Sequence, residues 1–260
     1  MLPEQFIKRL CIIGVGLIGG SLARALRSAG VVAEIVGAGR DSTHLQKAQE
    51  LGVIDRYVTD LRQAVQGADV VVLAVPLGAM ESVLGAIAPF LEKNAILTDV
   101  GSAKGSVVQA VQKVFGKLPE HFVPAHPIAG TEKSGVEASF DSLFENRRVI
   151  LTPTLASSEQ SINKVKRMWQ ACGADVIQMG VEHHDEVLAA TSHLPHMLAF
   201  ALVDTLARMD DSQEIFDFAA GGFKDFTRIA SSDPQMWHDI CLANHDALVK
   251  ALEAFSEDLM

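Results

Sequence analysis

The sequence predicts an α/β chain in which a doubly wound, mostly parallel sheet is followed by an all-helical C-terminal part. Three observations predict it. Short β-branched runs alternate with helical patterns through the first part of the chain. Runs such as Asp69-Val-Val-Val-Leu-Ala-Val-Pro76 are apolar throughout, as strands covered on both faces must be. After about Val181 no strand pattern remains and helical spacing takes over.

In order, Arg9–Ile13 reads as a strand, Leu17–Ala29 as a helix and Glu34–Gly37 as a second strand. A helix over Ser42–Leu51 precedes the apolar strand Asp69–Pro76, and a helix near Ala79–Phe90 precedes the strand Ala95–Val100. The next helix is expected to start near Ser102. Arg148–Thr152 and Asp175–Met179 read as later strands, joined by a helix around Ser161–Cys172. Glu182–Met209 is one long helical stretch with Pro195 as its expected kink, since proline removes a helical hydrogen bond. Asp233 as N-cap and Pro234 at the first position start a last helix that runs nearly to the end. Its apolar positions Trp237, Ile240, Cys241, Leu248, Leu252 and Phe255 repeat at helical spacing.

Hydrophobic residues make up 48% of the chain and charged residues 21%, as expected of a globular protein. The formal net charge of −10 argues against nucleic-acid or anionic-membrane partners, which reward positive charge. An anionic substrate would then need local cations. Three scattered cysteines, Cys11, Cys172 and Cys241, fit reduced thiols better than a disulfide framework or a metal site. The N-terminus lacks the cationic and apolar pattern of a secretion signal, and the apolar runs are broken before membrane-spanning length. A cytoplasmic protein with no membrane partner is expected.

Gly14-Val-Gly16-Leu-Ile-Gly19 follows the first strand and opens the first helix. In that context the first glycine permits a tight turn and the second lets backbone approach a pyrophosphate. The third allows close helix–strand packing, with phosphate at the helix N-terminus. The expectation is a dinucleotide-binding domain of Rossmann type over 1–181, with a helical substrate-binding and dimerisation domain over 182–260. An acid about 20 residues past the glycines would bind the ribose of NAD, while an arginine there favours the 2′-phosphate of NADP. Here Gly39 takes the acid's position and Arg40 follows, so NADP is preferred and NAD is the alternative. Asp41 is one residue away from restoring the acid. Gly14, Gly16, Leu17, Ile18, Gly19, Arg40, Ser42, Val75 and Pro76 form the expected cofactor set.

His126-Pro-Ile-Ala-Gly-Thr-Glu-Lys-Ser-Gly135 places a titratable base in a turn-forming segment among hydroxyls and charges. A base with a hydride-accepting cofactor suggests an alcohol dehydrogenation. Five blocks now stand in a telling order: Gly14–Gly20, Asp99-Val-Gly-Ser-Ala-Lys-Gly105, His126–Gly135, Ser192-His-Leu-Pro-His196 and Gly221-Gly-Phe-Lys-Asp-Phe-Thr-Arg228. On these blocks the chain resembles the prephenate and arogenate (cyclohexadienyl) dehydrogenases over nearly its whole length.

That resemblance implies oxidative decarboxylation of prephenate, arogenate or both in tyrosine biosynthesis. A hydride passes to NAD(P), and 4-hydroxyphenylpyruvate or tyrosine is formed. It implies catalytic roles for His126, which would accept a hydrogen bond from the substrate hydroxyl, and for Ser102, expected at a helix N-terminus. It implies that Arg228 holds a substrate carboxylate, where a guanidinium can bind in bidentate fashion. His196, Thr131, Gly221, Lys224 and Trp237 would complete the substrate contacts, and Thr131, Glu132 and Lys133 would hold His126 and Arg228 in place or gate the entrance. His193, three residues before His196, is either a second pocket residue or a packed core histidine. The helical part is too short to build a large core alone, so a homodimer through it is expected, the alternative being that its apolar faces cover the first domain. Other two-domain oxidoreductases, such as β-hydroxyacid dehydrogenases or imine reductases, share the glycine loop but not the histidine and arginine blocks. A silent NADP-binding sensor would need neither His126 nor Arg228.

Overall fold

The computed structural model describes residues 4–260. The chain divides into two compact units, Met1–His184 and Asp185–Met260. In the first unit the elements are β1 (Ile7–Ile13), α1 (Leu17–Ser28), β2 (Val32–Ala38), α2 (Ser42–Glu50), β3 (Arg56–Val58), α3 (Leu61–Ala64), β4 (Val70–Leu73), α4 (Met80–Ile87), β5 (Ile96–Asp99) and α5 (Gly105–Phe115). They are followed by β6 (Ala125–Pro127), β7 (Arg148–Leu151), α6 (Glu159–Ala171), β8 (Asp175–Gln178) and α7 (Val181–Leu188), with the unit boundary inside α7.

Strands β1 to β5 form one sheet in the order β3-β2-β1-β4-β5, parallel throughout. The apolar runs show why it is covered on both sides. Leu10 and Ile12 of β1 join Val70 and Val72 of β4 in one hydrophobic cluster, while Cys11 and Ile13 join Val71 and Leu73 in the other. Side chains alternate across a strand, so an unbroken apolar run serves two cores at once. The later strands do not extend this sheet. They form a separate three-stranded sheet, β6-β7-β8, in which β6 runs antiparallel to β7 and β7 parallel to β8.

Two local expectations are corrected here. The helix expected near Ser102 starts at Gly105. The intervening backbone instead wraps the Asp99 carboxylate, which accepts the Gly101 N–H at 2.8 Å. Also, His126 lies on a strand rather than in a turn, paired with Ile150 across β6 and β7. Pro127 is tolerated beside it because β6 is an edge strand of its sheet.

The second unit is helical, with α8 (Leu194–Ala207), α9 (Ser212–Asp217), α10 (Gly221–Thr227), α11 (Pro234–Ala243) and α12 (His245–Leu259). Pro195 does not break the run. A π-helical turn, Ala189–His193, immediately precedes it, and Pro195 falls in the first turn of α8, where its missing N–H is tolerated. The continuous stretch Val181–Ala207 therefore is long and apolar enough, by length and composition, to cross a membrane. This corrects the expectation that every such run is broken. Only 22% of its most apolar window is buried within the chain.

The expected single last helix is two. Asp233 caps α11 as foreseen, accepting the Met236 N–H at 3.0 Å. The chain then leaves helical geometry at Asn244, with φ −120 and ψ 34. The buried Asn244 amide donates to the Asp185 carbonyl at 2.8 Å and meets His193 Nδ1 at 3.0 Å. Those two bonds fix the break.

Candidate active site

The cofactor loop meets the demands its glycines imply. Gly14 has φ +98, and a Cβ there would lie 2.3 Å from the Ala74 carbonyl oxygen. Gly19 would place a Cβ 2.2 Å from the Gly14 carbonyl oxygen, so helix α1 can approach β1 only without a side chain. A Cβ on Gly16, by contrast, meets nothing within 4 Å. Gly16 is also the N-cap of α1 and supplies no side-chain cap. The N-terminus of this twelve-residue helix thus has room over Gly16 at the carboxyl edge of a parallel sheet, which suits a pyrophosphate. Leu17 and Ile18 are half-buried behind the loop, and Val75 and Pro76 follow β4 beside it.

At the end of β2 the structure separates Arg40 from Asp41. The Asp41 carboxylate caps α2, accepting N–H groups from Thr43 at 2.9 Å and His44 at 3.1 Å. Arg40 and Ser42 are exposed. His44 Nε2 lies 2.9 Å from the Val15 carbonyl oxygen, which ties the start of α2 to the glycine loop.

His126 is fastened to the same carboxyl edge. Asp99 ends β5, and its carboxylate pairs with Lys104 where both side chains are fully buried. Lys104 Nζ also donates to the Ala125 carbonyl at 2.7 Å, while the Ala125 N–H donates to Asp99 Oδ1 at 3.3 Å. The strand carrying His126 is therefore clamped by a buried ion pair. His126 is 8% exposed, and its Nδ1 lies 2.9 Å from His184 Nε2. Ser102 is half-buried in the loop between β5 and α5. Thr131, Glu132 and Lys133 are exposed, and the Thr131 hydroxyl accepts the Lys133 N–H at 3.2 Å.

In the second unit His196 stacks on Trp237, with ring centroids 3.6 Å apart and planes 17° from parallel. Its Nδ1 lies 2.9 Å from the Ser192 carbonyl, so Nδ1 carries the proton and donates it. Burial lowers its pKa, the Ser192 hydrogen bond raises it, and the Arg228 charge lowers it further, for a net downward shift. The shift favours the neutral ring, in which Nε2 is an acceptor. Trp237 is buried against both His196 and His193. His193 is a packed histidine bonded to Asn244. Gly221 starts α10, Lys224 lies on it, and Arg228 follows it, all three exposed.

Comparison with known proteins shows the family to which the chain belongs. Residues 22–178 match the nucleotide-binding domain of prephenate dehydrogenase, and residues 180–260 match its dimerization domain. The chain belongs to the prephenate dehydrogenase family. The cyclohexadienyl dehydrogenase of Zymomonas mobilis is 40% identical over 97% of this chain and 86% of its own length. The prephenate dehydrogenase of Bacillus subtilis is 38% identical over 98% of this chain and 68% of its own. A crystal structure of prephenate dehydrogenase from Aquifex aeolicus, in complex with hydroxyphenyl propionate and NAD+, superposes with a TM-score of 0.90 at 42% identity. That match covers 97% of this chain and 88% of the other.

No role was read from the sequence for four residues that contact the candidate segments. His184 is separated from His126 by 58 residues, and nothing in the local pattern links them. The Asp99–Lys104 pair sits inside a block already singled out, and a lysine flanked by small residues after an apolar strand was the available signal. His44 follows the arginine segment, where only its imidazole hinted at a contact.

Proposed function

We propose that this protein catalyses the oxidative decarboxylation of prephenate, arogenate or both, with NADP preferred over NAD, and acts as a homodimer. The observation that carries the reading is the buried His126, clamped to the carboxyl edge of the dinucleotide-binding sheet and paired through Nδ1 with His184. The residues of the glycine loop and Arg40 fit the cofactor, which when bound supplies the hydride acceptor. His126 takes up the hydroxyl proton as carbonyl character develops at the reacting carbon. The ring carboxylate leaves as CO2, the ring becomes aromatic, and His126 returns the proton to the phenol oxygen. Ser102 shares the hydroxyl contact. Arg228 receives a substrate carboxylate, with His196, Trp237, Lys224, Gly221 and Thr131 forming the remaining contacts.

NADP preference is supported by the capping role of Asp41, whose carboxylate is engaged by its own helix while Arg40 stays exposed. Initial rates with prephenate and arogenate, each offered with NADP and NAD, test the reading. Turnover of either substrate with NADP favoured is expected. Silence of all four combinations in folded protein would overturn it. Arg40→Ala should lower kcat/KM for NADP on the order of 10- to 100-fold, the worth of a charge-assisted hydrogen bond, and leave NAD nearly unaffected.

The homodimer is supported by the matched dimerization domain and by apolar side chains left exposed on α11 and α12, among them Leu242, Leu252, Phe255 and Leu259. Patches of this kind mark interaction surfaces. Sedimentation equilibrium should return twice the chain mass; a monomer across the micromolar range would refute it. A cytoplasmic location is supported by three cysteines present as free thiols.

A further inference from the structure

We infer that His184 sets the tautomer of His126 and is a positioning residue for its proton uptake. This rests on the reading of His126 as the group that accepts the substrate hydroxyl's proton. The two rings meet nitrogen to nitrogen at 2.9 Å, in an edge-to-face arrangement with centroids 5.1 Å apart. Both are buried, and His184 is 0% exposed.

At that distance one nitrogen donates and the other accepts. If His184 were the donor, the neutral His126 ring would carry its proton on Nε2 and offer the hydroxyl a donor instead of a base. Proton uptake would also leave two N–H groups facing each other inside the protein. If His126 donates from Nδ1, Nε2 holds the lone pair that takes the hydroxyl proton. The hydrogen bond to His184 then survives the uptake and strengthens, because its donor becomes cationic. An interaction that grows as the reaction proceeds lowers the barrier rather than merely aiding binding. His184 Nε2 is therefore the acceptor, and its own proton is on Nδ1. The logic is that of a base oriented by a third group.

Histidine 15N chemical shifts of the labelled protein, recorded above the titration range of its histidines, read the tautomer directly. Protonated Nδ1 and unprotonated Nε2 are expected for His126, and the reverse overturns the proposal. Kinetics supply the second readout. His184→Leu should lower kcat on the order of 100-fold, at the lower end of general-base contributions, with KM little changed. His184→Gln, whose side-chain carbonyl can accept from Nδ1–H, should restore most of the loss. A His184→Leu enzyme with undiminished kcat would overturn the assignment. The wild-type spectrum decides the tautomer even if the Leu variant does not fold. It does so equally if neither prephenate nor arogenate is turned over, an outcome that would sink the proposed function instead.

Discussion

Replacing His126 with asparagine should reduce kcat by about 10²- to 10⁴-fold, the range of a positioned acid–base group, while cofactor affinity is retained. His126 is buried on β6, and the residues proposed to hold a dinucleotide lie on a separate loop at the end of β1. Asparagine approximates the volume and retains a hydrogen-bonding group near the Nδ1 position, so contact with His184 can persist. What it lacks is a nitrogen at the Nε2 position able to take a proton. The loss should therefore fall on kcat, with KM for the cyclohexadienol changed far less, the pattern of an interaction made mainly in the transition state. NADP binding, measured by fluorescence or calorimetry, separates this from misfolding. A variant that binds NADP and keeps more than a tenth of the wild-type kcat would remove His126 from the proton-accepting role.

The largest expected effect on stability is at Lys104. Both members of the Asp99–Lys104 pair are fully buried, so replacing Lys104 with methionine leaves a carboxylate without its cation. Breaking a buried pair from one side typically costs about 3–5 kcal/mol, because the remaining charge is uncompensated. Set against a total of about 5–15 kcal/mol for a native protein, that is a major fraction. The Gly101 and Ala125 N–H groups still reach the Asp99 carboxylate, which places the expectation at the lower end of the range. Urea unfolding should show a lower midpoint with an unchanged m-value. Adding Asp99→Asn to Lys104→Met should recover part of the loss, since an amide needs no counter-charge. A single-variant loss below about 1 kcal/mol, the worth of an ordinary exposed pair, would contradict a buried, tightly paired cation. Because Lys104 also donates to the Ala125 carbonyl, activity should fall along with stability.

Much of the fold was legible because burial on two faces leaves a local mark. The run Val70–Leu73 is apolar at every position, and all four residues are buried. The glycine loop was legible for a similar reason: the backbone approaches at Gly14 and Gly19 exclude any side chain, so residue type alone carried the geometry. The capped start of α11 was equally local, a hydrogen bond from Met236 to Asp233 three residues away. Boundaries were less secure where a polar side chain competed for the backbone. Asp99 delayed α5 to Gly105, and Asn244 split the last helix.

By itself, then, the sequence determined the class of fold, the dinucleotide loop and the family blocks that contain His126 and Arg228. These features are written in residue types at fixed short spacing. Only the tertiary structure decided what surrounds those residues. It moved His126 from a turn to an edge strand, engaged Asp41 as a helix cap, and stacked His196 on Trp237. It also brought His184 to His126 and closed the Lys104 clamp on Ala125. Each of these depends on partners distant in the chain or on competition between a side chain and the backbone for one hydrogen bond. A hydrogen bond of that kind imposes no periodicity on its neighbours, so it leaves no pattern for a linear reading to find.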